Sequence, residues 1–225
     1  MSYNIGVKEV IDLLEINDVS YIVDGKPILD DISFEVGKGE LLMVSGPSGS
    51  GKSTLLRIIG DQLSPTSGSI RFNGKNILEY RPEEYRQRVS YVFQIPTLFM
   101  HTVIEDLEFP YRIREMEPDL ERIRELLPEV GLTEDILTKE SRIISGGEKQ
   151  RVALLRSLLI APDILLLDEV TSSLDRENAR MIEDTVKKLS ARGITIIWVT
   201  HDPDQLELSD RVLGIREGKV VESLA

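Results

Sequence analysis

Gly46-Pro47-Ser48-Gly49-Ser50-Gly51-Lys52-Ser53, with Thr54 after it, is the stretch from which the rest of the chain is read. It fits G-x-x-x-x-G-K-[ST], a loop whose glycines let successive backbone N–H groups converge on phosphate oxygens. Leu41-Leu42-Met43-Val44 before it has the apolar character of a buried strand. Ser53-Thr54-Leu55-Leu56-Arg57-Ile58-Ile59 after it has helical composition without glycine or proline. Strand, glycine loop, helix is the arrangement the chemistry requires, because the helix N-terminus adds the positive end of its dipole. In such a loop the lysine, Lys52, bridges the β- and γ-phosphates and the hydroxyl of Ser53 ligates Mg²⁺. The alternative, a plain Gly/Ser turn ahead of a helix, is disfavoured by this context. The loop predicts a nucleoside triphosphate site in an α/β fold.

The composition is that of an ordinary globular domain: 225 residues, 41% hydrophobic and 29% charged. That length suits one α/β core, with room for an inserted subdomain. The longest apolar runs, Ile164–Leu167 and Ile194–Val199, have strand length and fall short of the ~18 residues of a membrane span. The first residues show no basic segment followed by an apolar one, so nothing suggests secretion. Absence of cysteine excludes disulfides and thiolate metal sites, and is compatible with the cytoplasm. The net charge of −12 argues against nucleic acid or an anionic lipid surface as the main partner. Membrane association is therefore expected through a protein partner, with no direct lipid anchoring.

Taken in order, residues 1–12 read as a lead-in, partly helical at most. Strands are expected at Leu13–Val23 and Pro27–Val36 about the turn Asp24-Gly25, and at Glu40–Ser45 before the loop. Ser69–Phe72 leads into the tight turn Asn73-Gly74, and Val89–Phe93 is another β-rich run. Residues about 102–140 carry dense charge with helical spacing. Breaks at Pro110, Pro118 and Pro128 divide them into three expected short helices. The parallel-strand pattern returns at Ile164–Leu167. A helix is expected at Arg176–Ala191, with Ala179, Ile182, Val186 and Leu189 on one stripe, then a strand at Ile194–Thr200 and two short strands about Glu217-Gly218. The expected organisation is one domain, 13–225. Residues 13–94 and 161–225 form its β and α/β core and 95–160 a helical insertion.

The second half of a phosphate site is a carboxylate at the C-terminal end of a neighbouring strand. Leu165-Leu166-Leu167-Asp168-Glu169 supplies two. Asp168 is expected to hold Mg²⁺ through its water shell, and Glu169 to polarise the water that attacks the γ-phosphate. Alone, the pattern would be a strand meeting its exit turn; the loop upstream decides for function.

Ser145-Gly146-Gly147-Glu148-Lys149-Gln150-Arg151 resembles the signature motif of the ATP-binding cassette (ABC) ATPases. Ser-Gly-Gly at a helix start is an anion site in its own right; its bland alternative is an N-cap. With the other motifs in family order, the chain is identified as a member, the resemblance covering residues 13–222. It implies a P-loop NTPase core with a mainly parallel sheet, an N-terminal antiparallel β subdomain and an inserted α-helical subdomain. Residues 46–54 and Ser145, Gly146 and Gly147 then bind ATP. Tyr21 falls where the family stacks an aromatic on adenine (the alternative is an ordinary strand tyrosine). Gln94 matches the glutamine linking the Mg²⁺ site to the helical subdomain. Ser172-Ser173-Leu174-Asp175 resembles the loop that crosses the dimer interface, with Ser173 in place of the usual alanine. His201 matches the histidine that contacts the γ-phosphate, whereas His101 has no matching role and is expected at the surface. Glu148 replaces the commonest signature residue, glutamine.

The resemblance implies a homodimer in the ATP-bound state. Two cassettes meet head to tail, so Ser145 and Gly147 serve the opposite subunit's nucleotide, and ATP closes the pair by differential affinity. Gln94–Phe99 and Thr102–Pro110 lie where a transporter cassette receives its permease. Together with Ile136–Lys139 and Trp198–Asp202 they look most like ATPase subunits of bacterial iron exporters of the Fet type. Phosphate and lipoprotein-release ATPase subunits are near alternatives, and a soluble non-transport cassette, such as an iron–sulfur-assembly ATPase, is the runner-up. The expected setting is a peripheral subunit on the cytoplasmic face of the membrane, held by a separate permease.

Overall fold

A computed structural model describes residues 12–221; the lead-in expected at 1–12 lies outside them apart from Asp12. Two long strands, β1 (Asp12–Val23) and β2 (Lys26–Gly37), pair antiparallel. They turn at Asp24 (φ 49°) and Gly25 (φ 76°), the two left-handed residues of a type I′ hairpin. β4 (Ser67–Phe72) adds to the other edge of β1, and the two-residue β5 (Lys75–Asn76) to β4, across a second such turn at Asn73 and Gly74. The order of this sheet is β2-β1-β4-β5.

The second sheet runs β10-β9-β3-β8-β7-β6. β3 (Leu41–Ser45), β6 (Val89–Val92), β7 (Ile164–Asp168), β8 (Thr195–Val199) and β9 (Arg211–Arg216) are mutually parallel, and β10 (Lys219–Val221) hairpins back antiparallel. Every residue of β3, β7 and β8 is buried. This explains why these strands read as continuous apolar runs: a parallel strand is covered on both faces. Alternation sorts their side chains. Leu41, Met43, Leu165, Leu167, Ile196 and Trp198 join one core with the helical segment. Leu42, Val44, Ile164, Leu166, Ile197 and Val199 join the other, with α1 (Lys52–Ile59) and the antiparallel sheet. Asp168 follows Leu166 by two, so it projects toward α1.

Between β6 and β7 lie α3 (Val103–Arg112), α4 (Leu120–Leu126), two 3₁₀ turns at Pro128–Val130 and Glu134–Thr138, and α5 (Gly146–Leu158). The expected break at Pro110 is corrected: the proline lies inside α3. Val103, Asp106-Leu107 and Pro110-Tyr111 form its buried stripe at helical spacing, and the ring sits in the last turn, where its missing N–H removes one i→i−4 hydrogen bond without breaking the helix. Pro118 does precede a boundary, since Asp119 caps α4, and Pro128 opens a 3₁₀ turn. α2 (Pro82–Arg88), after a 3₁₀ turn at Ile77–Glu79, occupies a stretch left unassigned by sequence. α6 spans Arg176–Ala191 as expected, with Thr185 joining Ile182, Val186 and Leu189 on the buried face and Ala179 only half-buried. The short α7 (Pro203–Leu206) follows β8.

Candidate functional site

The phosphate loop is shaped by the strands beneath it. Gly46 has φ +151°, and a Cβ there would stand 1.9 Å from the Ile215 carbonyl oxygen of β9. At Gly51, φ +104°, it would stand 2.7 Å from Leu29 Cδ2 and 2.8 Å from the Ile28 carbonyl oxygen of β2. Only glycine passes both gaps. The Gly218 N–H, at the tip of hairpin β9–β10, donates to the Ser50 carbonyl at 3.1 Å, and the Gly218 carbonyl accepts from the Asp30 N–H at 2.8 Å. The loop is thereby tied to both sheets. Lys52, 5% exposed, donates from Nζ to the carbonyls of Gly46 (2.9 Å) and Pro47 (3.0 Å).

Above the loop is a cavity of about 440 Å³ lined by Ser48, Gly49, Gly51, Lys52, Ser53 and Thr54, with Ile28, Gln94 and Glu169. That volume is ordinary for a small-molecule site, roughly 300–1,000 Å³. Tyr21 is not among its walls; Ile28 is. Tyr21 pairs with Leu29 across β1–β2 and is half-buried against the core that contains Leu29. Nothing in the local pattern singles out Ile28, which reaches the loop only through the strand pairing.

Ser53 Oγ donates to Asp168 Oδ1 at 2.7 Å, and Tyr91 OH donates to Asp168 Oδ2 at 2.7 Å. Burial, then the bond to Asp168, pushes the Tyr91 phenol above its ordinary range, so it is a donor throughout physiological pH. A hydroxyl and a carboxylate side by side are hard oxygen donors of the kind Mg²⁺ takes. Among the described residues there is no group of three or more His, Asp or Glu arranged for a metal. A cation held mainly by phosphates and water needs none.

Glu169 follows Asp168 with φ 46°, a left-handed conformation that costs a non-glycine residue roughly 1–2 kcal/mol. Its N–H is held by the Val199 carbonyl of β8 at 3.1 Å and its carbonyl by the Ser172 N–H at 3.0 Å. The turn directs its carboxylate to Gln94, whose Nε2 donates to Glu169 Oε2 and to Ser172 Oγ, both at 3.1 Å. Gln94 therefore faces Glu169 here, while lining a cleft that also includes Ser53 and Asp168. His201, exposed at the end of β8, shares a second cavity of about 460 Å³ with Glu169 and Ser172. Behind it Gln205, 1% exposed, accepts from Thr200 Oγ1 at 2.6 Å and donates to Thr171 Oγ1 (3.0 Å) and Glu183 Oε1 (2.9 Å). Sequence reasoning missed this hub, because an isolated glutamine after a histidine carries no signal.

Ser145, Gly146 and Gly147 line neither cavity. Ser145 caps α5: its Oγ accepts from the Glu148 N–H at 3.2 Å, and Glu148 Oε2 accepts from the Ser145 N–H at 2.8 Å. That backbone bond holds the Glu148 carboxyl below its usual range. Glu148 thus has a local task that glutamine would also perform. Gly147 lies close to α6: a Cβ there would stand 2.5 Å from the Asn178 side chain, whose amide would have to shift. Asp175 caps α6 through the Asn178 N–H at 2.9 Å, which lowers its carboxyl similarly. Gln150, buried on α5, donates to the Phe93 carbonyl at 3.1 Å and so fixes the residue preceding Gln94. His101 is exposed, as expected.

Comparison with known proteins agrees with this geometry. The ABC transporter family pattern matches residues 29–172. The chain is 42% identical over 205 residues to the probable iron export ATP-binding protein FetA of Escherichia coli (strain K12), covering 91% of each. To the energy-coupling factor transporter ATP-binding protein EcfA1 of Streptococcus sanguinis (strain SK36) it is 38% identical, covering 93% of this chain and 78% of that one. Among solved structures, the dimeric structure of the bacterial ABC transporter cassette MJ0796 superposes with TM-score 0.83 at 29% identity, over 92% of this chain and 96% of that one. The same cassette is known in a post-hydrolysis state bound to ADP and Pi, with the same TM-score, identity and coverage. The phosphate loop between two sheets, the carboxylate pair at a strand end and the Ser-Gly-Gly helix standing apart from both accord with these matches: this chain is an ATP-binding, ATP-hydrolysing cassette of the ABC transporter family.

Proposed function

We propose that the chain powers transport through a separate membrane-spanning permease, that two copies close head to tail over ATP, and that the cargo is a metal ion, with iron export the leading case. The observation that carries the dimer is the division of the site. Lys52, Ser53, Gln94 and Glu169 line the cavity over the phosphate loop, Asp168 is bonded to Ser53 and His201 shares a neighbouring cavity with Glu169, while Ser145–Gly147 offers the N-terminus of a thirteen-residue helix outside both cavities. A second copy would bring that helix to the nucleotide.

Within one half, Lys52, held by its own loop carbonyls, would reach the β- and γ-phosphates with its ammonium. Ser53, Asp168 and Gln94 would hold Mg²⁺, which when bound neutralises phosphate charge. Glu169 would orient and deprotonate the attacking water, with Gln94 already at its carboxylate. His201 would contact the γ-phosphate and Asp175 would stand at the dimer interface; Tyr21, off the walls of the cavity over the loop, would meet an adenine that extends beyond it.

The permease reading is supported by exposed apolar side chains after Gln94: Ile95 is 77% and Phe99 57% exposed, beside Phe93 and Arg57 in a cleft of about 340 Å³. Among the described residues no helix is long and apolar enough to cross a membrane, and the place we assign is the cytoplasmic face, beside the permease. Metal export rests on the identity to FetA; the EcfA1 relative belongs to an energy-coupling factor transporter. The test is gel filtration of Glu169→Gln with Mg²⁺-ATP: a dimer that reverts on removing ATP is expected, and a monomer under all conditions overturns the reading. Pull-down from detergent-solubilised membranes checks the permease, and recovery of soluble partners alone would count against transport.

A further inference from the structure

The sheet register accounts for the bond from Tyr91 to Asp168. Tyr91 on β6 pairs with Leu166 on the parallel strand β7. Side chains two apart on a strand share a face, so Tyr91, Leu166 and Asp168 all project toward α1. A tyrosine is long enough to reach one such step further along the neighbouring strand, and its hydroxyl meets Asp168 Oδ2 at 2.7 Å. Its ring is wedged. Phe93 lies with ring centroids 4.7 Å apart on one side, and Gly60, at the end of α1, closes the other, where a Cβ would stand 3.2 Å from Tyr91 Cδ2. The carboxylate itself is 4% exposed, with one donor on each oxygen.

We propose that Tyr91 is a positioning residue for the metal-binding carboxylate, its hydroxyl fixing the rotation of Asp168 so that Oδ1 is presented beside Ser53. The inference rests on the reading of Ser53 and Asp168 as Mg²⁺ ligands. A Ser53 hydroxyl that ligated the metal through a lone pair would still donate its hydrogen to Asp168 Oδ1, and Tyr91 holds the other oxygen, Oδ2. Tyr91 lines neither the cavity over the phosphate loop nor the cleft beside it. Partners that hold a ligating carboxylate commonly set metal affinity by 10–100-fold, and a phenylalanine keeps the wedge while deleting the donor.

The test uses the full-length chain and a fluorescent, non-hydrolysable ATP analogue, titrated in EDTA and again in Mn²⁺. The quantity read is the factor by which metal tightens binding. Tyr91→Phe and Tyr91→Met should each reduce that factor about tenfold while leaving affinity in EDTA unchanged, and the electron paramagnetic resonance spectrum of bound Mn²⁺ should broaden. A full metal-dependent gain in either variant overturns the proposal, as does an equal loss in EDTA, which would mark a merely structural role. Asp168→Asn is measured in parallel. If it loses the gain and the Tyr91 variants do not, the positioning role falls alone; if Asp168→Asn keeps the gain, the metal site falls and the proposal with it.

Discussion

Gln205→Leu tests whether the buried polar hub behind His201 holds the site together. The substitution keeps roughly the same volume and removes both ends of the amide. Thr171 Oγ1 then loses its donor and its acceptor, since both its bonds run to Gln205. Thr200 Oγ1 loses its acceptor but keeps the Asp202 N–H at 3.1 Å, and half-buried Glu183 turns to solvent. One hydroxyl is orphaned and one is half-served, each buried below a tenth exposure. At about 1–3 kcal/mol for an orphaned buried group, the sum is about 2–4 kcal/mol. For a domain of this size that lowers Tm by about 5–15 °C, read by circular dichroism without nucleotide. The sharper expectation is the double variant: Gln205→Leu with Thr171→Val removes the orphan along with its partner, so it should recover at least about 1 kcal/mol relative to Gln205→Leu alone. Strict additivity of the two losses, or a single variant within 0.5 kcal/mol of wild type, refutes the reasoning.

Further outcomes follow from the same geometry. Lys52→Ala should weaken ATP binding directly in equilibrium titration, and unchanged affinity would remove the phosphate-loop role. Asp106→Ala should destabilise by about 3–5 kcal/mol in urea unfolding, because it leaves Arg156 without its counter-charge and the Phe99 and Met100 N–H groups without an acceptor. Gly46→Ala should abolish nucleotide binding, since the Ile215 carbonyl occupies the place of its methyl; near-normal binding would show that the loop does not rest on β9. Glu148 has a depressed carboxyl, so its contribution is present above its ordinary value of 4.5 and is lost as pH falls through the folded value. The stability gap between wild type and Glu148→Gln, about 0.5–1 kcal/mol at pH 7, should therefore close on acidification, and a gap that widens would contradict the capping role.

What could be read from sequence was local or periodic. The turns at Asp24-Gly25, Asn73-Gly74 and Glu217-Gly218 all have paired left-handed residues, and α6 kept its stripe because one face of a helix needs only its own neighbours. The strand–loop–helix motif and the Asp168-Glu169 pair were legible because their chemistry constrains residue type. Features that depend on which strands lie side by side were not. Pro110 reads as a break in the sequence because its burial in α3 is a tertiary fact. Ile28 walls the nucleotide cavity only because β2 passes beneath Gly51, and Tyr91 meets Asp168 only through the β6–β7 register. Ser145 was legible twice over, as anion site and as cap; in the single chain the cap is the role that is filled.

The floor under the phosphate loop has a consequence for the order in which the protein is made. The register sets Met43 between Trp198 and Val212, and Gly46 and Ser50 rest on Ile215 and Gly218. A ribosome releases β2 and the loop well before β9 and β10. Such non-local pairing is slow to form, so the nascent chain carries an intact nucleotide motif that lacks part of its support until the β9–β10 hairpin emerges. Premature termination before residue 211 would yield a product with every motif residue in place, β2 still beneath Gly51, and no β9–β10 hairpin for Gly46 and Ser50 to rest on.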